Sequence, residues 1–188
     1  MKKTILIAAM ATACGFTTIN AHAADEPAQA VLIWNGIVPG AIVGSDIGLA
    51  SPTGGDIQQG DLSLAENGTF DSTIVNIKAF SLTPEGEIDP ETQYPEAIDW
   101  SPYNVIVQHN GAEGNAYEST NAKIFLNGTE TATGESVQTE AGSPNMSVYV
   151  AYAAQPTGLV NVNDSVSVTA TLFAEGSAGS GSGGEGAL

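Results

Sequence analysis

From Ser165 to Phe173 the chain alternates strictly, with Val166, Val168, Ala170 and Leu172 on one parity and Ser167, Thr169 and Thr171 on the other. A period of two puts the four apolar side chains on one face of an extended strand and the hydroxyls on the opposite face. A helix would scatter the same residues around its circumference, so this segment reads as a half-buried antiparallel strand. Tyr103, Val105 and Val107 alternate likewise with Asn104 and Ile106. After residue 23 helical periodicity is nearly absent. Instead, short β-rich runs recur, the clearest being Ala30 to Val38, Ser72 to Phe80, Tyr103 to His109, Ala122 to Leu126, Met146 to Ala153 and Ser165 to Phe173. Glycine, asparagine, proline and serine separate them at the spacing of a sandwich or barrel.

Turn chemistry points the same way. Asn67-Gly68, Asn110-Gly111 and Asn127-Gly128 suit the positive φ angles of tight hairpins. The triplets starting at Asn67, Asn127, Asn145 and Asn163 also match the glycosylation sequon, but behind a bacterial-type leader they read as turns. Thr83 to Tyr103 carries four prolines and is expected to be a long, rigid loop with little regular structure.

The first 23 residues read as a signal peptide: Lys2 and Lys3, an apolar stretch from Ile5 to Ala13, then Ala21-His22-Ala23 before the cut. The apolar stretch is shorter than the roughly 20 residues that cross a bilayer. Ala11-Thr12-Ala13-Cys14 lacks the leucine of a lipobox, and the better cleavage site lies downstream. Cleavage after Ala23 leaves 188 − 23 = 165 residues, a normal size for one domain, with formal charge 2 − 21 = −19. The remainder has no cysteine, no arginine, one histidine (His109) and two lysines, Lys78 and Lys123. An exported chain without cysteine must hold its core without disulfides. The inventory also lacks a thiol nucleophile, a guanidinium clamp and a second imidazole, which argues against an enzyme and against a zinc site. The negative charge disfavours nucleic acid and anionic membranes and favours solubility.

The candidate sites are few. Glu85, Glu87, Asp89 and Glu91 fall at alternate positions and could share one face of an extended segment to hold a hard cation. Without EF-hand spacing, a solvated acidic loop is the simpler reading, and no metal or cofactor is expected. His109 closes a strand just before a turn, where a lone imidazole reads as a surface hydrogen-bonding residue rather than a general base. A carboxylate pair could in principle hydrolyse glycosides, but 21 acids offer no way to choose one. Trp34, Trp100 and Tyr103 are the available sugar platforms, although core or loop packing is the plainer role for both tryptophans.

The ends of the mature chain resemble a known family. Ala24-Asp25-Glu26-Pro27 leads into Ala28-Gln29-Ala30-Val31-Leu32-Ile33-Trp34, and Pro156-Thr157-Gly158 precedes the alternating run from Asp164 to Phe173. With an exported, cysteine-free, β-rich body, this resembles the major pilin subunits of chaperone-usher fimbriae, those of the common-pilus type in particular. The resemblance implies an immunoglobulin-like antiparallel sandwich lacking one strand. Residues 24–35 would form a donor extension, residues 36–173 the sandwich, and residues 174–188 a Gly/Ser-rich flexible tail. Ala28, Ala30, Leu32 and Trp34 would enter a groove lined by Val166, Val168, Ala170 and Leu172 of another copy or a related pilin. Strand addition of this kind takes affinity from backbone hydrogen bonds and specificity from alternate side-chain pockets. An open edge of that sort aggregates unless protected, hence a periplasmic chaperone and an outer-membrane usher as partners. The implied function is that of a structural subunit of a cell-surface fimbria serving adhesion or biofilm formation. The alternative is a monomeric secreted sandwich binding carbohydrate or calcium through its loops. A monomer that closes the seam with its own chain, without an engineered linker, would overturn the open groove. The 15 residues after Phe173 are a departure, since such pilins usually end near their last strand.

Overall fold

The computed structural model describes residues 28–34, 44–158, 160–161 and 163–177. The signal-peptide segment, residues 24–27 and 35, and positions 178–188 lie outside the described residues. In chain order the strands are β1 (Ala28–Trp34), β2 (Ile47–Ala50), β3 (Leu62–Leu64), β4 (Phe70–Ser72), β5 (Val75–Leu82), β6 (Ile88–Gln93) and β7 (Ile98–His109). They continue with β8 (Ala112–Glu113), β9 (Lys123–Leu126), β10 (Thr129–Glu130), β11 (Val137–Thr139), β12 (Asn145–Tyr152) and β13 (Val166–Gly176). A single 3-10 turn, Ser119–Asn121, is the only helical element among the described residues.

Two antiparallel sheets pack as a sandwich. The first runs β1-β13-β7-β11, with β8 folded back on β7. The second places β12 between β9 and the β4/β5 pair, with β10 outside β9, and β3, β2 and β6 completing it on the far side. All six β-rich runs of the sequence contain strands. The expected alternation on β13 holds up to Ala170 and Leu172, with Val166, Val168, Ala170 and Leu172 buried and Ser167 and Thr169 partly exposed, but Thr171, of the polar parity, is buried as well. On β12, Met146, Val148, Val150 and Tyr152 point inward by the same rule. A continuous apolar core between the sheets removes this surface from water, the main favourable term in folding.

The expected loop from Thr83 to Tyr103 is instead a hairpin followed by the start of the longest strand. Each proline stands where the ladder needs no donor. Pro84 occupies the turn closed by Gly86 N donating to Thr83 O at 2.9 Å. Pro90 lies in edge strand β6, within the irregular stretch between the Phe80–Gln93 and Leu82–Ile88 pairs. Pro95 links β6 to β7, and Pro102 sits beside a bulge. At that bulge β13 steps from Thr171, opposite Asn104, to Leu172, opposite Pro102, leaving Tyr103 as the extra residue. The bulge reverses the parity of β7: Ile98, Trp100 and Pro102 point inward before it, Val107 and His109 after it. Tyr103 therefore faces outward, 59% exposed, and does not share a face with Val107 as its spacing suggested.

The sandwich also extends beyond Phe173. Ala174 is fully buried, Gly176 packs against Tyr94, and Ser177 N donates to Ala97 O at 2.8 Å. β13 thus continues past residue 173, to Gly176. Asn110 (φ 51°) and Asn127 (φ 48°) adopt the left-handed turn geometry read from their Asn-Gly pairs, followed by glycines at φ 78° and 80°. At Asn67-Gly68 only the glycine does, at φ 81°.

Candidate functional site

The seam of the first sheet unites both sets of residues singled out in the sequence. β1 lies antiparallel on β13 with Ala28 opposite Ala174, Ala30 opposite Leu172, Leu32 opposite Ala170 and Trp34 opposite Val168. Three of the four groove residues thus face the donor residues, and Val166 extends one inward step beyond the end of β1. Both strands belong to the same chain. The expected open groove is therefore corrected: the seam is closed in cis. The reason is physical, since an uncovered β13 edge would leave a row of N–H and C=O groups without partners.

Strand order makes the placement informative. β7 and β13, the last described strand, lie side by side in the first sheet, and the free side of β13 is held by β1, the first described strand.

Trp34 anchors the upper end of β1. It is fully buried and its indole Nε1 donates to Thr73 O at 3.3 Å. Thr73 lies in the break between β4 and β5, which frees that carbonyl from the ladder. The ring lies against Gly60, which also forms a parallel bridge to Trp34. A β-carbon on Gly60 would fall inside the indole. Gly60 is held by its neighbour: Asp61 N donates to Thr73 Oγ1 at 2.8 Å and Thr73 N to Asp61 O at 2.9 Å. Ala28, 1% exposed, marks the lower end. Nothing in the sequence singled out Gly60 or Thr73, which lie 26 and 39 positions from Trp34 and meet it only through the fold.

Beyond the end of β1 on the same sheet, His109 stands opposite Val166. It is buried to 5% exposure rather than on the surface, because Tyr117 lies against it with ring centroids 6.0 Å apart. Its hydrogen-bonding role does hold, with Nε2 2.9 Å from Asp164 Oδ2. Asp164 also accepts from Asn161 N at 2.7 Å and Asn110 Nδ2 at 3.0 Å. These donors, with Asn161 N foremost, then Asn110 and His109, hold its carboxyl below the usual range. Tyr117, Tyr152 and Phe70 close this pole of the core, and Tyr117 Oη donates to Gly68 O at 2.8 Å. Burial raises the Tyr117 phenol, with the Tyr152 and Asp164 charges adding to it.

The remaining candidates resolve simply. Glu85, Glu87 and Glu91 are exposed and Asp89 partly so, in the β5–β6 hairpin. Asp89 Oδ1 accepts from Glu91 N at 3.0 Å, a local turn rather than a shared cage. Among the described residues no three His, Cys, Asp or Glu side chains converge as a metal site would require. Trp100 is fully buried, its Nε1 donating to Thr139 Oγ1 at 3.1 Å, so both tryptophans are core residues. No family model, curated protein or solved structure matches the chain.

Proposed function

We propose that the protein is a structural subunit of a bacterial surface fibre, an incomplete immunoglobulin-like sandwich that polymerises by exchange of its N-terminal strand. The observation that carries this reading is the position of β1. The place of the missing last strand is filled by the first strand, in a register that sets Ala30, Leu32 and Trp34 opposite Leu172, Ala170 and Val168. A strand supplied from the far end of the chain can be supplied equally by another molecule. The contacts are the same in either case, so the closed monomer and the exchanged polymer differ chiefly in linkage and concentration.

In this reading the monomer with its own seam filled is a resting form. Burial of the Trp34 side chain contributes roughly 3 kcal/mol. Opening β1 is therefore slow without assistance, which suits a periplasmic chaperone and an outer-membrane usher. The subunit is exported through the periplasm, assembled at the cell surface, and serves adhesion or biofilm formation without catalysis.

The test is size-exclusion chromatography with electron microscopy on the mature protein, before and after mild denaturation that releases β1. Fibres or ladders of oligomers are expected from the intact protein. A variant lacking residues 24–34 should form none, and should fold when a peptide of that sequence is supplied. A protein that stays monomeric through release and refolding at high concentration, with those residues intact, overturns the proposal.

A further inference from the structure

On the edge of β7 away from β13, strand β11 pairs with Trp100 and the residues before it, and β8 pairs with Gln108 and His109. Between them that edge carries no strand. A cavity of about 370 Å³ opens there, between β7 and the segment running from the 3-10 turn through β9 and β10. Its size falls within the range of small-ligand sites, about 300–1,000 Å³.

The lining has a distinct chemistry. Tyr103, pushed outward by the bulge, presents a ring 59% exposed, and Phe173 supports it from the side with centroids 5.1 Å apart. Asn104 also lines the cavity, but its Oδ1 is closed off from solvent and offers no contact to a ligand there. Thr120 and Thr133 add exposed hydroxyls, and Ile124 is a buried apolar wall. Lys123 and Glu130 also line the cavity, but they neutralise each other at 2.7 Å. The cavity thus combines an aromatic face, exposed threonine hydroxyls and an apolar wall, with no net charge.

We infer that this cavity is a binding site for a neutral saccharide, with Tyr103 as the stacking platform and the Thr120 and Thr133 hydroxyls as the polar contacts. The C–H face of a pyranose is apolar and faintly positive, which complements the negative face of an aromatic ring. Its hydroxyls both donate and accept, which matches the threonine hydroxyls of the lining. Anionic sugars are disfavoured by a chain of formal charge −17, and the single lysine of the cavity is already paired. The site lies two strands from the β1 seam and does not rest on the fibre reading, since a monomer can carry it.

The experiment is a titration of the isotope-labelled mature protein with lactose, maltose, mannobiose and chitobiose, followed by amide shifts and calorimetry, with sialyllactose as the anionic control. At least one neutral disaccharide is expected to bind and to shift Tyr103, Asn104 and Thr133 first. Tyr103→Ala should weaken that binding about ten-fold or more, and Tyr103→Phe should retain it. Tyr103 is solvent-facing, so both variants should fold; the shift map of the unmodified protein gives a second readout. Failure of all four neutral sugars, shifts centred elsewhere, binding indifferent to Tyr103→Ala, or preference for sialyllactose would each overturn the inference.

Discussion

Trp34 occupies the space that a β-carbon on Gly60 would need, and its indole N–H closes on the carbonyl of Thr73. One absent methyl group in the segment before β3 thus admits the side chain that fixes the end of the first strand. Gly60→Ala should cost about 1–3 kcal/mol by overpacking. Trp34→Ala should cost about 3–5 kcal/mol by leaving a cavity. The two should not add: with the indole gone, an alanine at position 60 loses its two closest contacts and should cost less. A double-mutant cycle by urea denaturation checks this, with hydrogen exchange at residues 28–34 locating the loss. Additive effects would show that the two residues do not share a site.

Asn127 sets the β9–β10 turn at φ 48° and accepts Ser147 N at 2.9 Å and Ser147 Oγ at 3.1 Å through its side-chain oxygen. It serves as both a backbone and a hydrogen-bonding element. Asn127→Ala should destabilise by about 1–3 kcal/mol, losing both roles. Asn127→Gly should recover the conformational part while leaving Ser147 without its acceptor. Denaturation midpoints of the three proteins should fall in the order Asn, Gly, Ala.

How much of this was legible in the sequence depended on whether a residue's role is local. β13 announced itself because alternation is a property of consecutive residues, and the Asn-Gly pairs at 110 and 127 because φ is a property of one residue. The hairpin at Thr83 was hidden because prolines exclude a central strand but not an edge or a bulge. The inserted Tyr103 could not be seen because a bulge exists only relative to its partner strand, and it reversed the parity assigned to Tyr103. His109 was misjudged because its cover comes from Tyr117, eight positions on, and its partner from Asp164, 55 positions on. Ala28 to Trp34 and Val166 to Leu172 were singled out as strand segments, yet nothing in a pattern says whether two strands meet within one chain or between two.

The Asp164 carboxylate is held by Asn161 N, Asn110 and His109, and its pKa is depressed in the folded state. The unfolded chain then binds a proton at a higher pH than the folded one. The stabilisation is fully present above the ordinary aspartate value of about 4 and disappears as pH falls through the lower folded value. Stability should decline on acidification below about pH 4, and Asp164→Asn should be less stable at neutral pH and flatter across that window. Urea denaturation between neutral and strongly acid pH measures both. An unchanged pH profile in the asparagine variant would show that other carboxylates govern the acid limb.

The end of the folded unit supplies the last test. Ala174 is fully buried opposite Ala28, Gly176 lies under Tyr94, and Ser177 is tied to Ala97 and to Gln138. A chain ended after Phe173 loses all of these and leaves the first residue of β1 facing no partner. It should be less stable than a chain ended after Ser177 by about 1–3 kcal/mol, from one small buried side chain and a few hydrogen bonds. Because Ala28 loses its opposite residue, hydrogen exchange should rise at residues 28–30 before it rises elsewhere in the sheet. If both truncated chains protect those residues equally, the grip of β13 on β1 does not reach past Phe173, and the seam is held from the Trp34 end alone.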